Sequence, residues 1–144
     1  MDSRVLLGRC TIRILAATEL HDTNHLTRMD PYVELKLMNP VPKLLHTTKP
    51  CKNGARTPKW DNEQLTIDVF ELHDHLQFTV LSDNKVKANS LIGEKRVTFR
   101  DLMRSEGQHE HYLFRKGDKH AGKLLLDIKI ERLIQPKVRI EACR

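Results

Sequence analysis

The sequence predicts an all-β fold, an eight-stranded antiparallel β-sandwich. Three observations predict it. Apolar residues recur at every second position, turn-forming residues separate these runs, and no segment carries the 3.6-residue stripe of a long helix. A chain of 144 residues fits one domain. A domain of this size buries roughly 70% of its unfolded surface, so it can build a core without disulfides or metal.

The elements follow in chain order. Cys10, Ile12 and Ile14 alternate with Thr11 and Arg13. Val33, Leu35 and Leu37 then alternate with Glu34 and Lys36, and a less regular strand is expected near 43–50. Leu65, Ile67 and Val69 alternate with Thr66 and Asp68; Leu76, Phe78 and Val80 alternate with Gln77 and Thr79. Less regular strands are expected near 91–99 and 110–115. Leu124, Leu126, Ile128 and Ile130 close the series, opposite Asp127, Lys129 and Glu131. Each run places one face on a core and the other toward water. Turns are expected at Asn39-Pro40, Asn53-Gly54, the loop 82–90, Glu106-Gly107 and Ala121-Gly122. Only Thr98 to Arg104 suits a short turn of helix. The domain is read as residues 8–133, with an extension at 1–7 and a tail at 134–144 that Pro136 interrupts.

Composition removes several classes. Hydrophobic residues at 39% and charged residues at 31% describe a globular chain rather than a disordered one. No apolar run approaches the ~20 residues of a membrane span, and the opening Met1-Asp2-Ser3-Arg4 does not show the long apolar core expected of a secretory signal. Cys10, Cys51 and Cys143 form no C-x-x-C pair, so reduced thiols in a cytoplasmic setting are expected. No G-x-S-x-G, P-loop or Cys/His nucleophile pattern occurs. His73 with His75 and His109 with His111 could each share a strand face, but a zinc site needs three or four ligands and no third follows. Neither an enzyme nor a cofactor is expected.

Three motifs then stand in order. Met29-Asp30-Pro31-Tyr32-Val33-Glu34-Leu35 resembles the S-D-P-Y-V segment of C2 domains, and Thr57-Pro58-Lys59-Trp60-Asp61-Asn62-Glu63 resembles their N-P-x-W-N-E segment. Leu91-Ile92-Gly93 falls where that family places I-G after its third loop. The resemblance spans about residues 8–133. With a full strand closing the chain at 122–132, it resembles the phospholipase-type (type II) strand permutation. The residue chemistry agrees: Pro31 suits a strand start, and Trp60, the single Trp, is expected to fill the core.

The resemblance also raises calcium. Calcium-binding members hold their ions with five loop aspartates, because a hard divalent cation needs charged oxygens. Residue by residue, those positions fall here on Asn24, Asp30, Ser82, Asn84 and Ser90, which leaves one carboxylate. Asp22 and Asp83 lie nearby, but alternation with Ser82 and Asn84 should turn Asp83 to the opposite face. No metal is expected, and the resemblance then implies a calcium-independent module.

The net charge of +6 has a location. Lys36, Lys43, Lys49, Lys52, Arg56 and Lys59 occur with no acidic residue between them. Family members with basic concave faces bind anionic lipids, so Lys36, Lys43, Lys49, Lys52 and Arg56, with Tyr32, are the candidate lipid- and anion-binding residues. Leu26, Lys85, Val86 and Lys87 are candidate membrane-facing loop tips. Nucleic acid is not expected, since no aromatics interleave the basic stretch. The expected partner is an anionic phospholipid or phosphoinositide surface, met peripherally by a cytoplasmic monomer. The alternative is a scaffold role, with the basic face or a strand edge taking an acidic or extended peptide.

Overall fold

The computed structural model describes residues 4–24, 27–85 and 87–133. Eight strands form: β1 (Gly8–Thr18), β2 (Pro31–Leu37), β3 (Lys43–Thr47), β4 (Gln64–Val69), β5 (His75–Ser82), β6 (Ser90–Thr98), β7 (Gly107–Arg115) and β8 (Lys119–Arg132). One short helix, α1 (Phe99–Arg104), lies between β6 and β7. Thr98 caps it: its hydroxyl accepts from the Asp101 N–H while the Asp101 carboxylate accepts from the Thr98 N–H.

The ladder order is β3-β2-β5-β6-β7-β8-β1-β4, and every pair is antiparallel. At its centre β6 meets β7 through only the Glu94–Phe114 pair, so the ladder folds there into two four-stranded halves. The alternation read from the sequence sets the inward faces. Val33, Leu35, Leu76, Phe78 and Val80 of one half pack with Cys10, Ile12, Ile14, Leu124, Leu126 and Ile128 of the other in one buried cluster. Trp60 joins it at 6% exposure, and its Nε1 donates to the Pro31 carbonyl at 3.2 Å. That bond meets the need of a buried indole for a partner. The closing strand β8 lies beside β1 from Gly8–Arg132 to Thr18–Lys123, as the type II permutation requires.

Two local expectations change. Ala121-Gly122 is not a turn: β8 runs through it, and the chain reverses instead at Lys116-Gly117-Asp118, where Gly117 and Asp118 have φ of 80° and 57°. Gly122 is needed for another reason. Its φ is +129°, and a Cβ there would lie 2.8 Å from Leu20 Cδ2 and 3.0 Å from the Thr18 carbonyl. Strand β3 is also shorter than 43–50, because at Thr48 a side chain replaces one of the two backbone partners, although the Thr48 N–H still donates to the Val33 carbonyl at 2.9 Å. The Thr48 hydroxyl accepts from the Val33 N–H at 2.9 Å, and Pro50 brings no donor to a ladder. The tail 134–144, with Cys143, lies outside the described residues.

The topology gathers several loops at one end. Pro31 pairs with Ser82 and Ser82 with Ser90, so the loops 19–30 and 83–89 share that end. β6 departs from it, β7 returns antiparallel, and the turn 116–118 therefore lies there too. Segment 48–58 joins them, with the Cys51 N–H on the Pro31 carbonyl at 2.8 Å.

Candidate functional site

The loop end holds a cleft of about 450 Å³, lined by Asn24, Arg28, Asp30, Asp83, Lys85 and Lys87 among others. Four of the five positions expected to correspond to calcium ligands are tied directly to one another. The Asp30 N–H donates to Ser82 Oγ at 3.3 Å, Ser82 Oγ donates to Asn84 Oδ1 at 3.5 Å, and Asn84 Nδ2 donates to Ser90 Oγ at 2.8 Å. Neutral hydrogen bonds therefore join the Asp30 backbone to the Ser82, Asn84 and Ser90 side chains. Asn24, the fifth, turns back on its own loop, with its N–H on Asp22 Oδ1 at 2.9 Å.

The carboxylates differ from expectation in one respect. Asp83 lines the same cleft as Asp30 rather than pointing away, because strand β5 ends at Ser82 and strict alternation ends with it. Its N–H donates to the Asp30 carbonyl at 3.0 Å, which turns it in with the loop. Against these two carboxylates stand Arg28, Lys85 and Lys87 in the same lining. Asp30 is already engaged, accepting from the Asn53 N–H at 2.7 Å. The Asn84 amide is spent on Ala88 and Ser90. Such a donor set does not fit a pair of hard cations, which need several free anionic oxygens.

Three contributors escape a reading of the sequence. Asn53 is visible there as an Asn-Gly turn, but its bond to Asp30 spans 23 positions. Asn89 accepts from the Asn84 N–H and donates to the Tyr32 hydroxyl, each at 2.8 Å. Arg28 stands two residues before Asp30, which is the available cue. Leu26 and Val86 lie outside the described residues.

The basic stretch is distributed rather than gathered. Lys36 projects from the outer face of β2, beside Gln77 of β5 and opposite Leu44 of β3. Lys43 pairs with Leu37 and so takes the other phase, at the end away from the loops. Lys49 and Lys52 are exposed and follow the chain toward the loop end. Arg56 lies behind the first loop, its Nε on the Leu20 carbonyl at 2.8 Å, and is no part of the β2–β3 face. Tyr32 is 9% exposed and its hydroxyl is taken by Asn89, so it steadies a loop instead of meeting solvent. Glu34 and Glu94 stand on the outer face as well, both opposite Thr79, which makes that face mixed in charge.

Comparison with known proteins agrees with this architecture. The family model for the C2 domain matches residues 8–114. A curated mouse (Mus musculus) relative, multiple C2 and transmembrane domain-containing protein 2, is 25% identical over 131 residues. That match takes in 90% of this chain but only 14% of the relative's length. Among solved structures, a C2 domain of plant extended synaptotagmin 1 superposes with a TM-score of 0.72 at 20% identity, covering 92% of this chain and 100% of that one. Human GIVD cytosolic phospholipase A2 gives a TM-score of 0.72 at 18% identity, covering 92% of this chain and 17% of its own. With its paired four-stranded halves, its three motifs in register and the family match over most of its length, the chain belongs to the C2 domain family.

Proposed function

We propose that this C2 domain is a non-catalytic module that docks reversibly, without calcium, on anionic phospholipid surfaces at the cytoplasmic face of a membrane. The observation that carries this reading is the charge of the loop-end cleft, where Arg28, Lys85 and Lys87 stand beside only Asp30 and Asp83. With no ion needed as a bridge, fixed cations meet anionic headgroups directly. Each Lys or Arg near such a surface contributes ~1 kcal/mol, so three or four together give reversible attachment. Lys49 and Lys52 extend the contact from the same end, and Lys36 offers a weaker second one on the outer face of β2.

Co-sedimentation with phosphatidylserine vesicles tests this. Binding should persist in chelator and fall as salt rises, since the Debye length is only ~8 Å at physiological ionic strength. Failure to bind any anionic vesicle, or binding only with calcium, would overturn it. One observation favours a second reading. Strand β3 ends the ladder with its outer edge unpaired among the described residues, and Leu44 on it and Val41 just before it are 51% and 68% exposed. An extended peptide could add to that edge, and a pull-down with immobilised peptide that survives Leu44→Lys would exclude it.

A further inference from the structure

A second cleft lies at the same end of the sandwich, between the start of the first loop, the start of β6 and the β7–β8 turn. It measures about 590 Å³, within the range of small-ligand pockets, and His21, Leu91, Arg115, Lys116 and Lys119 line it. No carboxylate is among its lining residues. Asp22 adjoins His21 in sequence, but its Oδ1 accepts from the Asn24 N–H at 2.9 Å. Asp118 belongs to the same turn and does not line the cleft.

The strands explain how these cations come together. Arg115 is the last residue of β7 and pairs directly with Lys119, the first of β8, so both project near one point. Lys116 lies between them in the turn. His21 is brought alongside by its N–H, which donates to the Ala121 carbonyl at 2.9 Å. Its Nε2 then lies 3.4 Å from Arg115 Nη1. Burial and the neighbouring Arg115 push the His21 pKa below its ordinary value, which keeps the ring neutral and able to accept from the guanidinium.

Several other cations of this half of the sandwich are held by carboxylates, whereas those of the cleft are not. Arg9 pairs with Asp68 and Glu131, Arg13 with Asp127, and Lys123 with Glu19. Arg115, Lys116 and Lys119 have no ion pair among the described residues, and Arg115 Nε is buried without a hydrogen-bond partner there. Like charges held together repel and destabilise the fold unless a counter-charge arrives. A guanidinium fork flanked by two ammonium groups matches a group with several charged oxygens at close spacing, which is a phosphate monoester.

We infer that the cleft between His21, Arg115, Lys116 and Lys119 is a binding site for a phosphomonoester, supplied by the headgroup of a phosphoinositide. This rests on the membrane reading for the source of the phosphate, because the cleft opens at the end bearing the docking loops. Leu91, 51% exposed at its rim, is placed to meet the apolar part of the lipid.

The test uses the whole chain and a variant with Arg115→Gln, Lys116→Gln and Lys119→Gln. A second variant with only the exposed Lys116→Gln and Lys119→Gln guards against a folding defect, and circular dichroism checks both. Vesicles of phosphatidylserine are compared with charge-matched vesicles carrying phosphatidylinositol bisphosphate, and soluble inositol trisphosphate is titrated by calorimetry. The chain should prefer the bisphosphate vesicles by about tenfold, and both variants should reduce that preference while keeping phosphatidylserine binding. Preference kept in the triple variant, or no preference at all beside ordinary phosphatidylserine binding, would overturn the site and leave the membrane reading standing. Soluble trisphosphate bound and lost in the triple variant, with no vesicle binding, would establish the phosphate site and remove its lipid source. No binding in any arm would overturn both.

Discussion

The backbone N–H of Asn53 donates to the Asp30 carboxylate at 2.7 Å, joining the segment after β3 to the entry of β2 across 23 positions. One carboxylate that resembles a family calcium ligand is thus occupied by the protein's own backbone. Replacing Asp30 by Ala should cost about 1.5–3 kcal/mol, the range for a hydrogen bond to a charged group. That corresponds to a Tm lower by roughly 4–12 °C for a domain of this size. The same change removes negative charge from the cleft, so phosphatidylserine binding should strengthen even as stability falls. Thermal melts and co-sedimentation on one preparation check both signs.

Lys85 and Lys87 face the cleft without an ion pair among the described residues. Their double replacement by Gln should remove roughly 2 kcal/mol of attraction to an anionic surface at low salt. A drop of about 30-fold in vesicle affinity follows. Both side chains are exposed, so the Tm should stay within about 2 °C of the parent. An unchanged affinity would move the docking contact elsewhere.

Cys10 is fully buried on β1, and burial first, then the charge of Glu106, push its pKa up to about 12. Thiolate is the reactive form, and at pH 8 only about one in ten thousand of these thiols is ionised. Thiol reagents should therefore label Cys10 only after denaturation. The folded pKa lies above the unfolded one, so this contribution to stability is complete below about pH 9 and is lost as pH rises toward 12. Urea melts across that alkaline range should show the decline, and Cys10→Ala should lessen it.

Gly122 is held at φ +129° with Leu20 and the Thr18 carbonyl against it. Gly122→Ala should destabilise by roughly 1–3 kcal/mol, from left-handed strain and the steric clash together. A midpoint shift in urea with an unchanged slope would locate the effect in the folded state.

Much of the fold is legible in the sequence because a strand's side chains repeat every two residues, whatever their partners. The inward runs Ile12–Ile14, Val33–Leu35 and Leu124–Ile128 come from that period alone, as does Trp60 from its setting after Pro58. Ala121-Gly122 reads as a turn because glycine marks both turns and close approaches, and only the presence of Leu20 over the backbone distinguishes them. Asp83 reads as outward because alternation ends with the strand, and the end of a strand is set by its pairing partner.

The sequence by itself determined the β-period, the order of the three motifs, the shortage of carboxylates at the expected calcium positions and the positive balance of the chain. These depend on residue type and spacing, which a linear string carries completely. Only the tertiary structure decided which charges are neighbours. It separated Lys36 from Arg56, buried Tyr32 beneath Asn89, and set His21 beside Arg115 across 94 positions. The physical reason is that Coulomb energy and hydrogen bonding depend on distance in space, and antiparallel pairing brings together ends of strands that the sequence holds far apart.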